Sequence, residues 1–305
     1  MEPAVFGSTG DYKDHIELLD VACAWLAIER GRAIQYTKLI RELFEHDTRS
    51  PANILAYFES CEIADICLLW KDRAGEFPGL YDKIKSALAK GPVLTEDERA
   101  NSSSNRPRND SFSYFVAGLL ASQSMKILAV DGCPCRENGV HSEADIAIQL
   151  SSGVFDIECK RPRSRDAIVS RTKEAVDQVR SHDRHGIAFV VCSVVIRPPG
   201  YLLEATSGEA AERQVYNLLS GMDIPKLQSL LTEFLPGVIL YGRIPAMTRA
   251  SDSKMLSKDG HAFSYIRPEC VFSFAVVNNA LYSRQNIIHE LARSLSKATR
   301  ALFAG

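Results

Sequence analysis

Asp156, Glu158 and Lys160 alternate with Phe155, Ile157 and Cys159 in the stretch GVFDIECKRP, residues 153 to 162. Successive side chains of a β-strand point to opposite faces, so the two acids and the lysine would share one face. Another acid stands upstream: Asp145 is the second residue of the largely apolar run 144–150, and Ser151-Ser152-Gly153 between the two runs is short enough for a hairpin. An even loop sets Asp145 opposite Glu158. An odd loop sets it opposite Cys159, and a bulge must then bring it round.

Two converging carboxylates repel unless a proton or a cation lies between them. A hard divalent cation held by one or two carboxylates, keeping several waters and meeting a substrate phosphate, is what Mg²⁺ prefers. It polarises a phosphoryl oxygen and makes hydroxide available near neutral pH. Lys160, two residues beyond Glu158, would orient the attacking water or neutralise charge growing on the phosphate. The chemistry in outline is phosphodiester hydrolysis.

The elements that must hold these groups follow from periodicity. From residue 13 to about 90 apolar residues recur at helical spacing, with helices expected over 33–44, 51–70 and 79–89 and Ser50-Pro51 as N-cap and N1. The polar segment ANSSSNRPRND, 100–110, reads as a linker, which divides the chain into an all-helical domain, 1–105, and an α/β domain, 106–305. A helix fits 111–124, strands fit 126–130, 144–150 and 154–160, and a polar helix fits 166–180. The β-branched run 187–196 reads as a strand buried on both faces. Helical patches around 205–220 and 224–234, strands near 237–243 and 270–277, and a last helix from about 284 to 303 complete the chain.

With Ala144-Asp145, then Glu158-Cys159-Lys160, in the order αβββαβ, residues 110–196 resemble the PD-(D/E)xK nucleases of the restriction-endonuclease-like superfamily. The resemblance implies a mixed sheet of that kind, with Asp145 and Glu158 as metal ligands assisted by the backbone carbonyl of Cys159, and Lys160 as the catalytic lysine. It implies Mg²⁺, with Mn²⁺ able to substitute, and a nucleic-acid substrate, taken as DNA. Two departures stand out: alanine replaces the proline before Asp145, and the helix at 111–124 carries no acid. Glu143 or Asp156 is the expected stand-in, and Gln178 matches a glutamine that members often place on the helix after the lysine.

From Lys160 to Arg184 eight Lys/Arg face four acids, a local excess of +4 in a chain of net charge −2. Arg161, Arg163, Arg165, Arg171, Lys173 and Arg180 are therefore the candidate phosphate contacts. The basic residues Arg293, Lys297 and Arg300 of the last helix read instead as a solvated face opposite Ile288, Leu291, Leu295 and Leu302. Cys133-Pro134-Cys135 with His141 lacks the second half of a zinc site, and His182 and His185 are placed to end a helix favourably against its dipole. P-loop, GxGxxG and GxSxG motifs are absent from the sequence.

The chain's 305 residues, 46% of them hydrophobic, suffice for a sizeable core. Eight cysteines scattered in apolar runs fit a reducing compartment. With no basic-then-apolar leader and no apolar run near the ~20 residues that span a bilayer, a cytoplasmic protein without membrane attachment is expected. The expected function is a Mg²⁺-dependent nuclease; the alternative is an inactive nuclease-like module that binds nucleic acid or protein. A protein partner would use the helical third. Self-association is left open.

Overall fold

The computed structural model describes residues 12–46, 50–91, 93, 106–150, 153–196, 202–249, 263–266 and 269–275, together with 288, 291–293 and 295. It is a mixed α/β protein with a mixed sheet. The chain separates into two compact units, one of residues 10–155 and one that takes in residues 156–305. The boundary expected at 105/106 falls inside the first of them.

That first unit holds helices α1 (Tyr12–Trp25), α2 (Arg32–Glu45), α3 (Pro51–Trp70), α4 (Leu80–Ala89) and α5 (Arg106–Ser122). Its strands are β1 (Lys126–Val130), β2 (Cys133–Pro134) and β3 (Ile146–Leu150). As expected, the Ser50 hydroxyl caps α3 by accepting from the N–H of Asn53, and Pro51 takes the first helical position. Helix α3 is apolar almost all round because α1, α2 and α5 cover it. The α3–α5 contact is close: a Cβ at Gly118 would lie 2.8 Å from Leu69 Cβ, and the Trp70 indole N–H donates to the Tyr114 carbonyl at 2.8 Å.

Helix α5 begins at Arg106, five residues before the sequence expectation of 111. The polar run containing Pro107 reads as linker, yet proline is tolerated in a first helical turn, where its missing N–H has no partner to lose. Tertiary contacts then hold that turn. Arg108 is buried and donates to Glu59 Oε2 and Tyr36 Oη, each at 2.8 Å, while buried Arg32 of α2 donates to Ser111 of α5 at 3.3 Å and to the Ala87 carbonyl of α4 at 3.2 Å. Two buried guanidinium groups thus tie α2, α3 and α4 to α5, and α5 packs on β1.

Strand β1 pairs antiparallel with β2 and with β3, with an irregularity in register between Ile127 and Ala129. The β1–β2 turn is Asp131-Gly132, both left-handed at φ 46° and 71°. That is the two-residue turn whose twist matches a hairpin, and it is why Asp-Gly stands there.

Strand β4 (Gly153–Lys160) carries the chain into the second unit. There follow α6 (Arg165–Ser181), β5 (His185–Val191), α7 (Ser193–Ile196), β6 (Leu203–Ala205), α8 (Gly208–Ser220), α9 (Ile224–Gln228), β7 (Gly237–Arg243), β8 (Ala246–Arg249), β9 (Phe263–Ile266) and β10 (Glu269–Ala275). In this unit β5 lies between β4 and β7; β5 and β7 are parallel, and β10 closes antiparallel on β7. Strands β6, β8 and β9 form a small separate sheet that the sequence pattern does not announce. The α6 residues Ile168, Ala175, Val176 and Val179 and the α8 residues Ala211, Val215 and Leu219 pack with Ala188, Val190, Val238 and Leu240 in one core.

The strand expected over 187–196 stops at Val191, and Ser193–Ile196 coil into one helical turn. A short continuous apolar run suits either form. Here the Cys192 carbonyl accepts from both Val195 and Ile196, and the Ser193 hydroxyl accepts from the Arg243 N–H at 3.0 Å, which fixes the turn against β7. In the last helix Ile288, Leu291 and Leu295 are buried and Arg293 is exposed, the faces that the sequence pattern assigns; Lys297, Arg300 and Leu302 lie outside the described residues.

Candidate functional site

Within the first unit the acid of interest is Asp145, half-buried one residue before β3, beside the buried Ala144. Its backbone is fixed by the β1–β2 turn: the Asp131 N–H donates to the Asp145 carbonyl at 2.8 Å. The Asp131 carboxylate in turn accepts from the Tyr114 hydroxyl at 2.9 Å and pairs with Lys83 of α4 at 3.1 Å; Lys83 also donates to the Asp131 carbonyl. Burial, then Asp131, push the Tyr114 hydroxyl above its ordinary range.

A third acid belongs to this group, one that the sequence pattern does not announce. Asp110 lies on the second turn of α5, one residue before the point where the helix was expected to begin. Burial first, then the Asp131 and Asp145 carboxylates, push its pKa up to about 6, against the opposing influence of Arg106, 3.8 Å away, and of Lys83. The helix therefore does carry an acid. Its signal was Pro107, a helix-starting residue inside what composition marks as a linker; for Asp131 the signal was the Asp-Gly pair itself.

The other named groups lie in the second unit, on β4 and α6. Glu158 is 2% exposed and its Oε2 is 2.8 Å from Lys160 Nζ, so the two share a face of β4 as alternation requires. The lysine side chain is 12% exposed, which makes this a buried ion pair rather than the solvated pair of an exposed edge strand. Asp156, fully buried, is committed elsewhere: His182 Nδ1 is 3.1 Å from its Oδ2, and Arg184 donates to its Oδ1 at 3.4 Å. His182 does cap the end of α6, and its ring turns to this carboxylate. Cys159 is half-buried.

The approach of β5 to β4 depends on Gly186. A Cβ there would stand 2.6 Å from the Asp156 carbonyl and 2.8 Å from Val179 Cγ2, so the chain passes between strand and helix only without a side chain.

Of the remaining named residues, Glu143 is exposed two positions before Asp145, and Gln178 is exposed on the outer face of α6 beside Lys173, Glu174 and Asp177. In the basic stretch Lys160, Arg171 and Arg184 are paired with Glu158, Glu174 and Asp156. Arg165, Lys173 and Arg180 are exposed, and Arg161 and Arg163 are half-buried. Cys133 is buried, Cys135 half-buried and His141 exposed, and none of the described cysteines forms a disulfide. Burial raises the Cys23 thiol to about 11 and the Cys192 thiol to about 12, so both are inert core residues.

Among the described residues no three or more His, Cys, Asp or Glu side chains form a group placed to hold a metal ion. The donors present are nevertheless the hard oxygens that Mg²⁺ takes, and one or two carboxylates with waters suffice for it. No described helix is long and apolar enough to cross a membrane. The Ser151-Ser152 turn, on which the register of Asp145 against β4 depends, lies outside the described residues.

What fold and site define is a mixed α/β protein with a cluster of acids at the start of β3 and a buried Glu–Lys pair on β4. No family model, curated protein or solved structure matches the chain.

Proposed function

We propose that this protein is a Mg²⁺-dependent nuclease of the PD-(D/E)xK type, acting on DNA, with Mn²⁺ able to replace Mg²⁺. Asp145 and Glu158 are its metal-binding carboxylates, assisted by the Cys159 carbonyl, and Lys160 is its catalytic lysine. Asp110 is the acid of the preceding helix. The observation that carries the proposal is the buried Glu158–Lys160 pair at 2.8 Å, because an ionised acid and lysine are costly to bury and their i, i+2 spacing is that of the ExK motif.

When bound, Mg²⁺ would supply Lewis-acid polarisation of a phosphoryl oxygen and a water of lowered pKa. The chain's own residues do the rest. The Lys160 ammonium pairs with Glu158 and would neutralise charge growing on the phosphate. Arg165, Lys173 and Arg180, exposed on α6, contact the phosphate backbone without reading sequence.

A second function keeps the fold without the chemistry: a module that binds nucleic acid or a protein partner. The exposed Arg165, Lys173 and Arg180 of α6 would serve it without a metal, since fold alone does not confer activity. Incubating the protein with duplex and single-stranded DNA in Mg²⁺ and in EDTA decides between them. The nuclease produces fragments in Mg²⁺ or Mn²⁺ and none in EDTA; binding without fragments in either metal identifies the module.

A further inference from the structure

Taking the nuclease function proposed above as its basis, we infer that Asp131 is a positioning residue for Asp145, braced by Lys83 of α4 and Tyr114 of α5. Three observations converge. The Asp131 N–H donates to the Asp145 carbonyl at 2.8 Å, so the conformation of the turn sets that of the acid's own backbone. Asp131 is left-handed at φ 46°, as the first residue of a two-residue Asp-Gly hairpin turn is, so the direction of its N–H is set together with the turn. Side-chain contacts hold that turn to the helices: Tyr114 Oη at 2.9 Å and Lys83 Nζ at 3.1 Å both hold the Asp131 carboxylate, and Lys83 donates to the carbonyl of the same residue.

The inference gives the helical part of the chain a role. Lys83 belongs to the helices that the sequence sets apart as a separate domain, yet it reaches the turn next to the first residue of the proposed metal site. The brace acts at a distance from the chemistry, since neither Lys83 nor Tyr114 is assigned a contact with metal or substrate. Partners of this outer kind, when removed, typically weaken metal binding about 10- to 100-fold.

Lys83→Met and Tyr114→Phe test it, because both retain all the carboxylates. Electrostatics alone predicts that Lys83→Met tightens Mn²⁺ binding, since a cation 3.1 Å from Asp131 is lost. The brace predicts the opposite sign: calorimetric titration should give a dissociation constant raised about 10-fold in each variant, with Lys83→Arg restoring most of it. Unchanged or tighter binding in both variants overturns the inference. Metal-free protein supplies the second readout, exchange of the Asp131 amide hydrogen, expected to rise about 10-fold or more in both variants while neighbouring β1 amides stay protected. Unchanged exchange also overturns the brace. Failure of the nuclease function looks different: wild-type protein then shows no Mn²⁺ site that Asp145→Asn abolishes, whatever the amide exchange does.

Discussion

Lys160 Nζ lies 2.8 Å from Glu158 Oε2, an ion pair two residues apart on one face of β4 and almost wholly withdrawn from solvent. Removing one member of such a pair leaves the other as an uncompensated buried charge. Lys160→Met should therefore destabilise the protein by about 3–5 kcal/mol in urea unfolding, and the double variant Glu158→Gln/Lys160→Met should recover most of that loss. Additive losses in the double variant would contradict a coupled pair.

Gly186 sits where a Cβ would meet the Asp156 carbonyl at 2.6 Å and Val179 at 2.8 Å. Gly186→Ala should cost about 1–3 kcal/mol by forcing β5 or α6 outward. Because Asp156 is two residues from Glu158, activity should fall as well. A variant with unchanged unfolding midpoint and unchanged cleavage would show that the strands have room to spare.

Asp110 titrates near 6 in the folded chain against an ordinary value of 3.8. A raised carboxyl pKa means that the native state holds the proton more tightly, so this contribution to stability is complete below about pH 4 and is lost as pH rises through about 6. Its side chain is 32% exposed, and solvent screening reduces the effect to the order of 1 kcal/mol. In EDTA, Asp110→Asn should gain on wild type between pH 5 and pH 7 in thermal melts. Parallel melting curves across that range would contradict the assigned shift.

Much of this organisation is legible in the sequence where turn chemistry and apolar pattern agree. Strands 126–130 and 237–243 stand at the expected residues, and of the face Ile168, Val169, Thr172, Val176 and Val179 that helical spacing gives the helix at 166–180, α6 buries all but Val169, which is half-buried. The exceptions share a cause. The start of α5 is written in polar residues whose helical state is secured by Glu59, Tyr36 and Arg32, all remote in sequence, so local composition misreads it as linker and hides Asp110. Likewise Ser193–Ile196 has strand-forming residues but takes its shape from contacts with β7. Asp156 and Glu158 share a face of the strand; the ExK spacing singles out Glu158, but what Asp156 does instead is seen only in the positions of His182 and Arg184.

The most direct test of the proposed chemistry is the single-turnover rate of DNA cleavage in Mg²⁺ by Glu158→Gln, a substitution close in shape that removes the charge, on protein shown by thermal melting to be folded. Loss of a metal-binding carboxylate should lower the rate by at least about 10²-fold, with binding to DNA in EDTA retained. Cleavage by Glu158→Gln at the wild-type rate would contradict the assignment of Glu158, and with it the nuclease site.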